Sequence, residues 1–221
     1  MELSQAIRLL GDLLGEVLIA QESRQAFEVE ERIRLQAKAN RAGDPRAAAQ
    51  LAAEITAIPL DIARIVATAF CLYFDLVNVA EEHHRVRVLR QQTQADPDEP
   101  GHESIGDAFR QLRQRGVSAD ELQAVLADLD IELVLTAHPT EAKRRSILSK
   151  LTRIADHLNT LSRQDLVPAE VADLQAAVLA EVTALWLTER SRTARPRVTD
   201  EVRTGLFFVD QVFWQVLPQI Y

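Results

Sequence analysis

The residue types most able to do chemistry stand together in the run Val134-Leu135-Thr136-Ala137-His138-Pro139-Thr140-Glu141-Ala142-Lys143-Arg144-Arg145. Proline disfavours the helical region for the residue before it, so His138 is expected to be held extended and its imidazole aimed by the backbone. Thr140 has a side chain suited to capping a following helix, whose free amide donors would attract an anion. Lys143, Arg144 and Arg145 then fall in what the pattern predicts as the first turn of that helix. Cations near a helix N-terminus oppose its macrodipole by ~0.3–1 kcal/mol each, so something anionic should compensate for them.

Charge bookkeeping points the same way. Residues 1–140 hold 14 basic and 23 acidic groups, whereas residues 141–203 hold 11 and 9, so the positive excess begins at the turn. A second basic cluster, Arg190, Arg192, Arg195 and Arg197, contains no acid, and Pro196 prevents it from continuing as a regular helix. One histidine and two arginine-rich segments suit an anionic, phosphorylated small molecule. The plainer readings stand beside this one: a histidine before a proline is often a structural turn residue, and the 190–197 arginines could instead pair with acids in packing interfaces. Glu81-Glu82-His83-His84 has a metal-like composition but no histidine pair at i,i+4, and adjacent helical residues point about 100° apart, so no metal ligand is assigned there. Cys71, Trp186 and Trp214 are read as core or interface packing.

Helices must position these groups. With 7 Gly and 8 Pro in 221 residues, and apolar residues recurring at three and four, most of the chain is predicted to be helical. Residues 4–20 place Ile7, Leu10, Leu14 and Val17 on one stripe, and residues 22–40 form a charged helix ending at Gly43-Asp44-Pro45. A short helix covers 46–57. After Pro59 the strongest period runs through Ile62, Ile65, Val66, Ala69, Leu72, Tyr73, Leu76, Val79 and Ala80, predicting a deeply packed helix. The run from Gln91 to Gly101 has two prolines and no period, and is expected to be an exposed loop. Ser104 and Ser118 are each followed three residues on by an acid, Asp107 and Glu121, with Gly116 ending the helix between them. Residues 131–136 are apolar and partly β-branched and read as a strand ending at about Thr136. Further helices are predicted over about 141–163 and 169–190, and Thr199 is the expected cap of a last one.

The expected fold class is therefore mainly α with one clear strand, in three stretches: helical 1–130, then strand, turn and helix over 131–163, then a helical continuation over 164–221. A lone strand cannot satisfy its backbone groups, so its partners are expected outside this sequence. With 25 Lys+Arg against 33 Asp+Glu the formal charge is -8, which argues against a general nucleic-acid binder. The single cysteine and the absence of a leader-like N-terminus or a ~20-residue apolar run favour a cytoplasmic protein that does not enter a membrane.

The run 134–145 closely resembles the histidine active-site signature of the phosphoenolpyruvate carboxylase family. The resemblance extends upstream through Ala69-Phe70 and Leu76-Val77-Asn78-Val79-Ala80-Glu81-Glu82-His83. Downstream it takes in Trp186, Thr188, Glu189, Arg190, Arg195-Pro196, Asp200-Glu201, and Gly205 to Val209 with Trp214 and Pro218. Family members are several times longer, so the chain resembles an N-terminal piece, with residues 131–136 as the first strand of a helix-elaborated α/β (TIM-type) barrel. The resemblance implies carboxylation of phosphoenolpyruvate by bicarbonate through carboxyphosphate and an enolate, giving oxaloacetate and phosphate. It implies Mg2+ or Mn2+ with ligands outside these residues, a homotetramer under effector control, and a fragment inactive by itself. His138 matches the family histidine of the carboxyphosphate step, and Arg144 and Arg145 are implied substrate-side cations. Two readings compete: a non-catalytic helical module for anion or protein binding, and a phosphohistidine carrier using His138.

Overall fold

Periods of three and four resolve, in a computed structural model, into helix after helix; the structure describes residues 1–95, 101, 104–130, 132, 143–163, 165–190 and 197–220. In chain order these are α1 (Leu3–Gln21), α2 (Arg24–Arg41), α3 (Ala47–Ala57), α4 (Leu60–Ala95), α5 (Ile105–Gln114), α6 (Ala119–Ala127), α7 (Arg145–Leu161), α8 (Pro168–Trp186) and α9 (Val198–Phe208). A π-helical stretch, Val209–Phe213, then leads into α10 (Trp214–Ile220).

The local stop and start signals act as their chemistry requires. Gly43 (φ 89°) and Gly116 (φ 82°) each take the left-handed conformation two residues past the end of a helix, where a side chain would be strained. At both sites the next residue reaches back to cap the helix: Asp44 N donates to the Ala39 carbonyl at 3.1 Å, and Val117 N to that of Leu112 at 3.1 Å. Ser118 and Glu121 close a reciprocal capping box on α6, Ser118 N donating to Glu121 Oε2 at 2.8 Å and Glu121 N to Ser118 Oγ at 3.3 Å. Pro168 occupies the first turn of α8, where its missing N–H costs nothing.

The compact unit formed by Met1–Ser104 and Arg145–Thr188 holds the main core. In it α1 packs on α4, α4 on α7, α7 on α8, and α8 back on α1, a closed ring of four helices. Each contributes one stripe: Leu10, Leu14 and Val17 from α1; Leu72, Leu76 and Ala80 from α4; Ile147, Ile154 and Leu158 from α7; Val178, Val182 and Leu185 from α8. Full burial of a side chain of this size contributes about 1.5–3 kcal/mol, so the ring is held mainly by this apolar centre. Val29 and Ile33 of α2 meet Val66 of α4 in a smaller cluster with Leu51 of α3 packed on it. α4 is long and apolar enough over one window to cross a membrane by length and composition, and here that window lies partly in these two cores.

The other unit comprises Ile105–Arg144 and Glu189–Tyr221. Among its described residues Asp107 is the one fully buried side chain, accepting from Arg110 at 2.5 Å and from Gln111 Nε2 at 3.0 Å. Many of its large apolar residues, Ile105, Val125, Leu206 and Trp214 among them, face solvent.

Several expectations are corrected. Among the described residues no strand occurs, so the chain is helical as expected but lacks the clear strand placed at about 131–136. Glu132 has no regular structure, and residues 131 and 133–136 lie outside the described residues. The physical reason is that a strand needs a neighbour to match its backbone groups, and among the described residues no other segment supplies one. The loop expected from Gln91 to Gly101 is helical as far as Ala95, and residues 96–100 lie outside the described residues; polar residues without an apolar period still propagate a helix whose earlier turns are anchored in a core. α7 starts at Arg145 rather than about 141. The last helix is entered through Arg197, not Thr199, with Arg197 N donating to Asp200 Oδ2 at 3.0 Å. Cys71 is exposed, since it sits about 100° around α4 from the buried Leu72. Trp214 is also exposed, whereas Trp186 is half-buried against the core and donates Nε1–H to Glu22 Oε1 at 3.2 Å.

Candidate functional site

The predicted turn is only partly within view. His138 lies outside the described residues, as do Thr140 and Glu141. Arg144 is described: it is half-buried and immediately precedes α7, while Arg145 is exposed and opens that helix. Lys143 is exposed and likewise precedes the helix. Only Arg145 of the three cations therefore lies within the helix, while Lys143 and Arg144 stand just before its N-terminus. α7 itself is a firm base, with Ile147, Leu151, Ile154 and Leu158 at steps of four, three and four seating it in the ring. Its first turn is tightened by Ser149 Oγ donating to the Arg145 carbonyl at 2.9 Å. Of the second basic cluster, Arg190 is half-buried, Arg197 is exposed at the start of α9, and Arg192 and Arg195 lie outside the described residues.

The structure adds a site the sequence reading passed over. A cleft of about 770 Å³ opens in the four-helix unit, lined by His83, Arg87 and Arg90 of α4, Ser162 and Arg163 just past α7, and Gln175 of α8. His83, Arg87 and Arg90 are spaced four and three apart, which sets them on one face of α4. His83 is 6% exposed, and its Nε2 lies 3.2 Å from Ser162 Oγ. Ser162 has one hydroxyl proton and gives it to the Leu158 carbonyl at 2.9 Å, so its oxygen accepts from a protonated Nε2 of His83. Burial foremost, then the surrounding positive charges of the Met1 amine, Arg87, His84 and Arg90, holds the His83 imidazole below the usual histidine range. It is therefore neutral at pH 7, and the bond ties α4 to the end of α7. His83 is thus committed to packing and to a hydroxyl, and among the described residues no three His, Cys, Asp or Glu side chains gather to hold a metal.

Two arginines of the cleft already hold carboxylates at its rim. Arg87 reaches Glu2 at 2.8 Å and Arg163 reaches Asp165 at 2.6 Å. Arg87 Nε is shielded from solvent and has no hydrogen-bond partner. The signal that could have found this cleft was present in the spacing of 83, 87 and 90, but its other walls come from residues 70 to 90 positions away.

Comparison with known proteins places this architecture. The family model for phosphoenolpyruvate carboxylase matches residues 3–221. A phosphoenolpyruvate carboxylase of Thermus sp. (strain 71) is 36% identical over 219 residues, covering 99% of this chain and 24% of the relative. One from Roseiflexus castenholzii is 38% identical over 220 residues, covering 99% and 23%, and one from Ectopseudomonas mendocina is 37% identical over 220 residues, covering 98% and 24%. The chain thus spans about a quarter of the length of the relatives it matches.

Proposed function

The chain belongs to the phosphoenolpyruvate carboxylase family, and from that premise we propose that it is the N-terminal portion of a carboxy-lyase that joins bicarbonate to phosphoenolpyruvate, releasing oxaloacetate and phosphate. The observation that carries this reading is the family match over residues 3–221, which takes in the whole histidine run.

In this reaction bicarbonate oxygen attacks the phosphoryl group, the enolate leaves, and carboxyphosphate forms. Carbon dioxide is then released from carboxyphosphate with phosphate, and the enolate carbon captures it. Every species except carbon dioxide is anionic, so the site must supply cations and manage one proton. In our reading His138 takes the carboxyphosphate proton or stabilises that intermediate by hydrogen bonding. Arg144 and Arg145, at the start of α7, supply positive charge on the substrate side. A divalent Mg2+ or Mn2+ contributes charge neutralisation in the family's chemistry. The described residues do not fit it, since they offer no three-ligand group, and no residue of this chain is assigned to it. The reading carries with it a cytoplasmic location and a homotetramer for the longer chain, with the 221 residues inactive alone.

The test is oxaloacetate formation from phosphoenolpyruvate and bicarbonate with magnesium, coupled to malate dehydrogenase, in the protein encoded by the full reading frame. His138→Asn should lower the rate by ~10²–10⁴-fold, the range of general acid–base contributions, while phosphoenolpyruvate affinity is largely kept. Wild-type turnover in that variant would overturn the assignment of His138. A folded full-length protein that forms no oxaloacetate at all would overturn the activity.

A further inference from the structure

The cleft between α4, α7 and α8 has a charge pattern opposite to that of the chain. The chain is net -8, yet the described residues lining the cleft include three arginines, Arg87, Arg90 and Arg163, and no carboxylate. The remaining polar lining is the Met1 amine and uncharged hydrogen-bonding groups, Asn159, Ser162 and Gln175 among them. Glu2 and Asp165 offset two of these charges from the rim, and Arg90 keeps the interior of the cleft positive.

Three observations specify what the cleft can hold. Arg90 has no ion-pair partner among the described residues, and Arg87 keeps its shielded Nε–H unmatched although another of its nitrogens holds Glu2. Arg90 offers a planar guanidinium suited to an oxyanion through paired N–H donors, and displacement of Glu2 would free the Nε and Nη2 edge of Arg87 for the same use. Secondly, the carboxylates now on Arg87 and Arg163 are themselves 64% and 66% exposed, and pairs of that kind contribute little, so a ligand can displace them at small cost. Thirdly, the walls are fixed before any ligand arrives. The His83–Ser162 bond fastens α4 to the end of α7, and the ring core holds both helices against α1 and α8. A volume of about 770 Å³ falls within the range of small-molecule sites.

We propose that this cleft binds a small oxyanion, a phosphate- or carboxylate-bearing molecule, held by Arg87 and Arg90 of α4 on one side and Arg163 on the other. His83 is a positioning residue here: its proton is committed to Ser162, and it sets the spacing of the two arginine-bearing walls. The site is independent of the carboxylation reading, because none of its residues belongs to the histidine run at 134–145.

The experiment is equilibrium dialysis of radiolabelled sulfate, dianionic throughout the neutral range, against the full-length protein in chloride buffer. Wild type is compared with Arg90→Gln, with Arg90→Gln/Arg163→Gln, and with Gln94→Glu, which adds an anion at an exposed lining position. The single arginine variant should weaken one class of sulfate site by about tenfold, the loss expected of one charge-assisted hydrogen bond. The double variant should remove that equivalent, and Gln94→Glu should weaken it without disturbing the helix. Competition separates the two sources of the chemistry: displacement by glycerol phosphate at lower concentration than succinate assigns a phosphate headgroup, and the reverse order assigns a carboxylate. No saturable sulfate binding, or binding unchanged in both the double variant and Gln94→Glu with an unaltered circular dichroism spectrum, overturns the proposal. Retained oxaloacetate formation in the double variant separates a failure here from a failure of the carboxylation reading.

Discussion

The four-helix unit and the unit of residues 105–144 and 189–221 are made of the same kind of helix, amphipathic and capped, and differ in what happens to the apolar face. In the first, Leu10, Leu76, Ile154 and Val182 meet at the centre of a ring and are almost wholly withdrawn from water. In the second, Val202, Leu206 and Val212 recur at steps of four and six and remain exposed. An apolar period is a property of one segment, whereas burial is a property of several, so the same pattern yields a core only where other stripes face it. The first unit also assigns its polar groups sparingly, as at His83 and Ser162. Among the described residues of the second, the one fully buried side chain is a carboxylate, Asp107, satisfied by Arg110 and Gln111.

Truncation inside the ring is the strongest way to test this contrast. Ile154→Ala should cost about 2–5 kcal/mol in urea unfolding followed by circular dichroism, because the ring leaves little room for the site to collapse. The matching change in the second unit, Leu206→Ala, should stay within ~0.5 kcal/mol, as for exposed sites generally; a cost near that of Ile154 would show that α9 is buried in solution. A second-rank effect comes from Glu30 on α2, which is 8% exposed. Burial, reinforced by Glu31 and opposed by Arg34, pushes its carboxyl up to about 7. A folded-state value above the unfolded one means that the native state holds a proton the unfolded chain releases between about pH 4.5 and 7, so stability falls as pH rises through that window. Glu30→Gln should remove that fall and gain on the order of 2 kcal/mol over wild type at pH 8, with little difference at pH 4. A parallel pH dependence in the two proteins would contradict the assignment.

Smaller still is the capping box on α6. Ser118→Ala should lower stability by about 1 kcal/mol, and if α6 unfolds separately from the ring, helical signal should be lost while the ring's unfolding midpoint stays in place. Arg153→Ala, which breaks the pair that Arg153 makes with Glu181 across α7 and α8 at 2.6 Å, should leave the midpoint unchanged, because that pair is exposed on its arginine side.

Much of this fold was legible in the chain, for local reasons. The stripe from Val66 to Ala80, the glycine stops at Gly43 and Gly116, and the box at Ser118 all depend on residues within a few positions of one another. The pairing of α1 with both α4 and α8 was not legible, since period fixes which face is apolar and is silent about the partner. The apolar run at 131–136 misled because β-branched residues favour a strand only where another strand can pair with them. For the site, the motif around His138 was readable as chemistry, and Arg144 and Arg145 were found at the entry of α7. The arginine cleft stayed hidden because its parts are brought together by folding: Arg87 and Arg163 stand 76 positions apart.

α4 deserves to be followed in time as well as in space. Its 36 residues extend about 54 Å at 1.5 Å per residue, far beyond the 19 of α1 or the 17 of α7 that pack on it. Val66 lies in the smaller cluster and Ala69 to Ala80 lie in the larger one, so a single rod runs through both. Amide protons along 66–80 should then exchange with deuterium in one late, collective event, since opening this stretch disrupts both cores at once. Those at 91–95, past the last packed turn, should exchange early by fraying, and the cleft arginines at 87 and 90 sit where the slow regime gives way to the fast one.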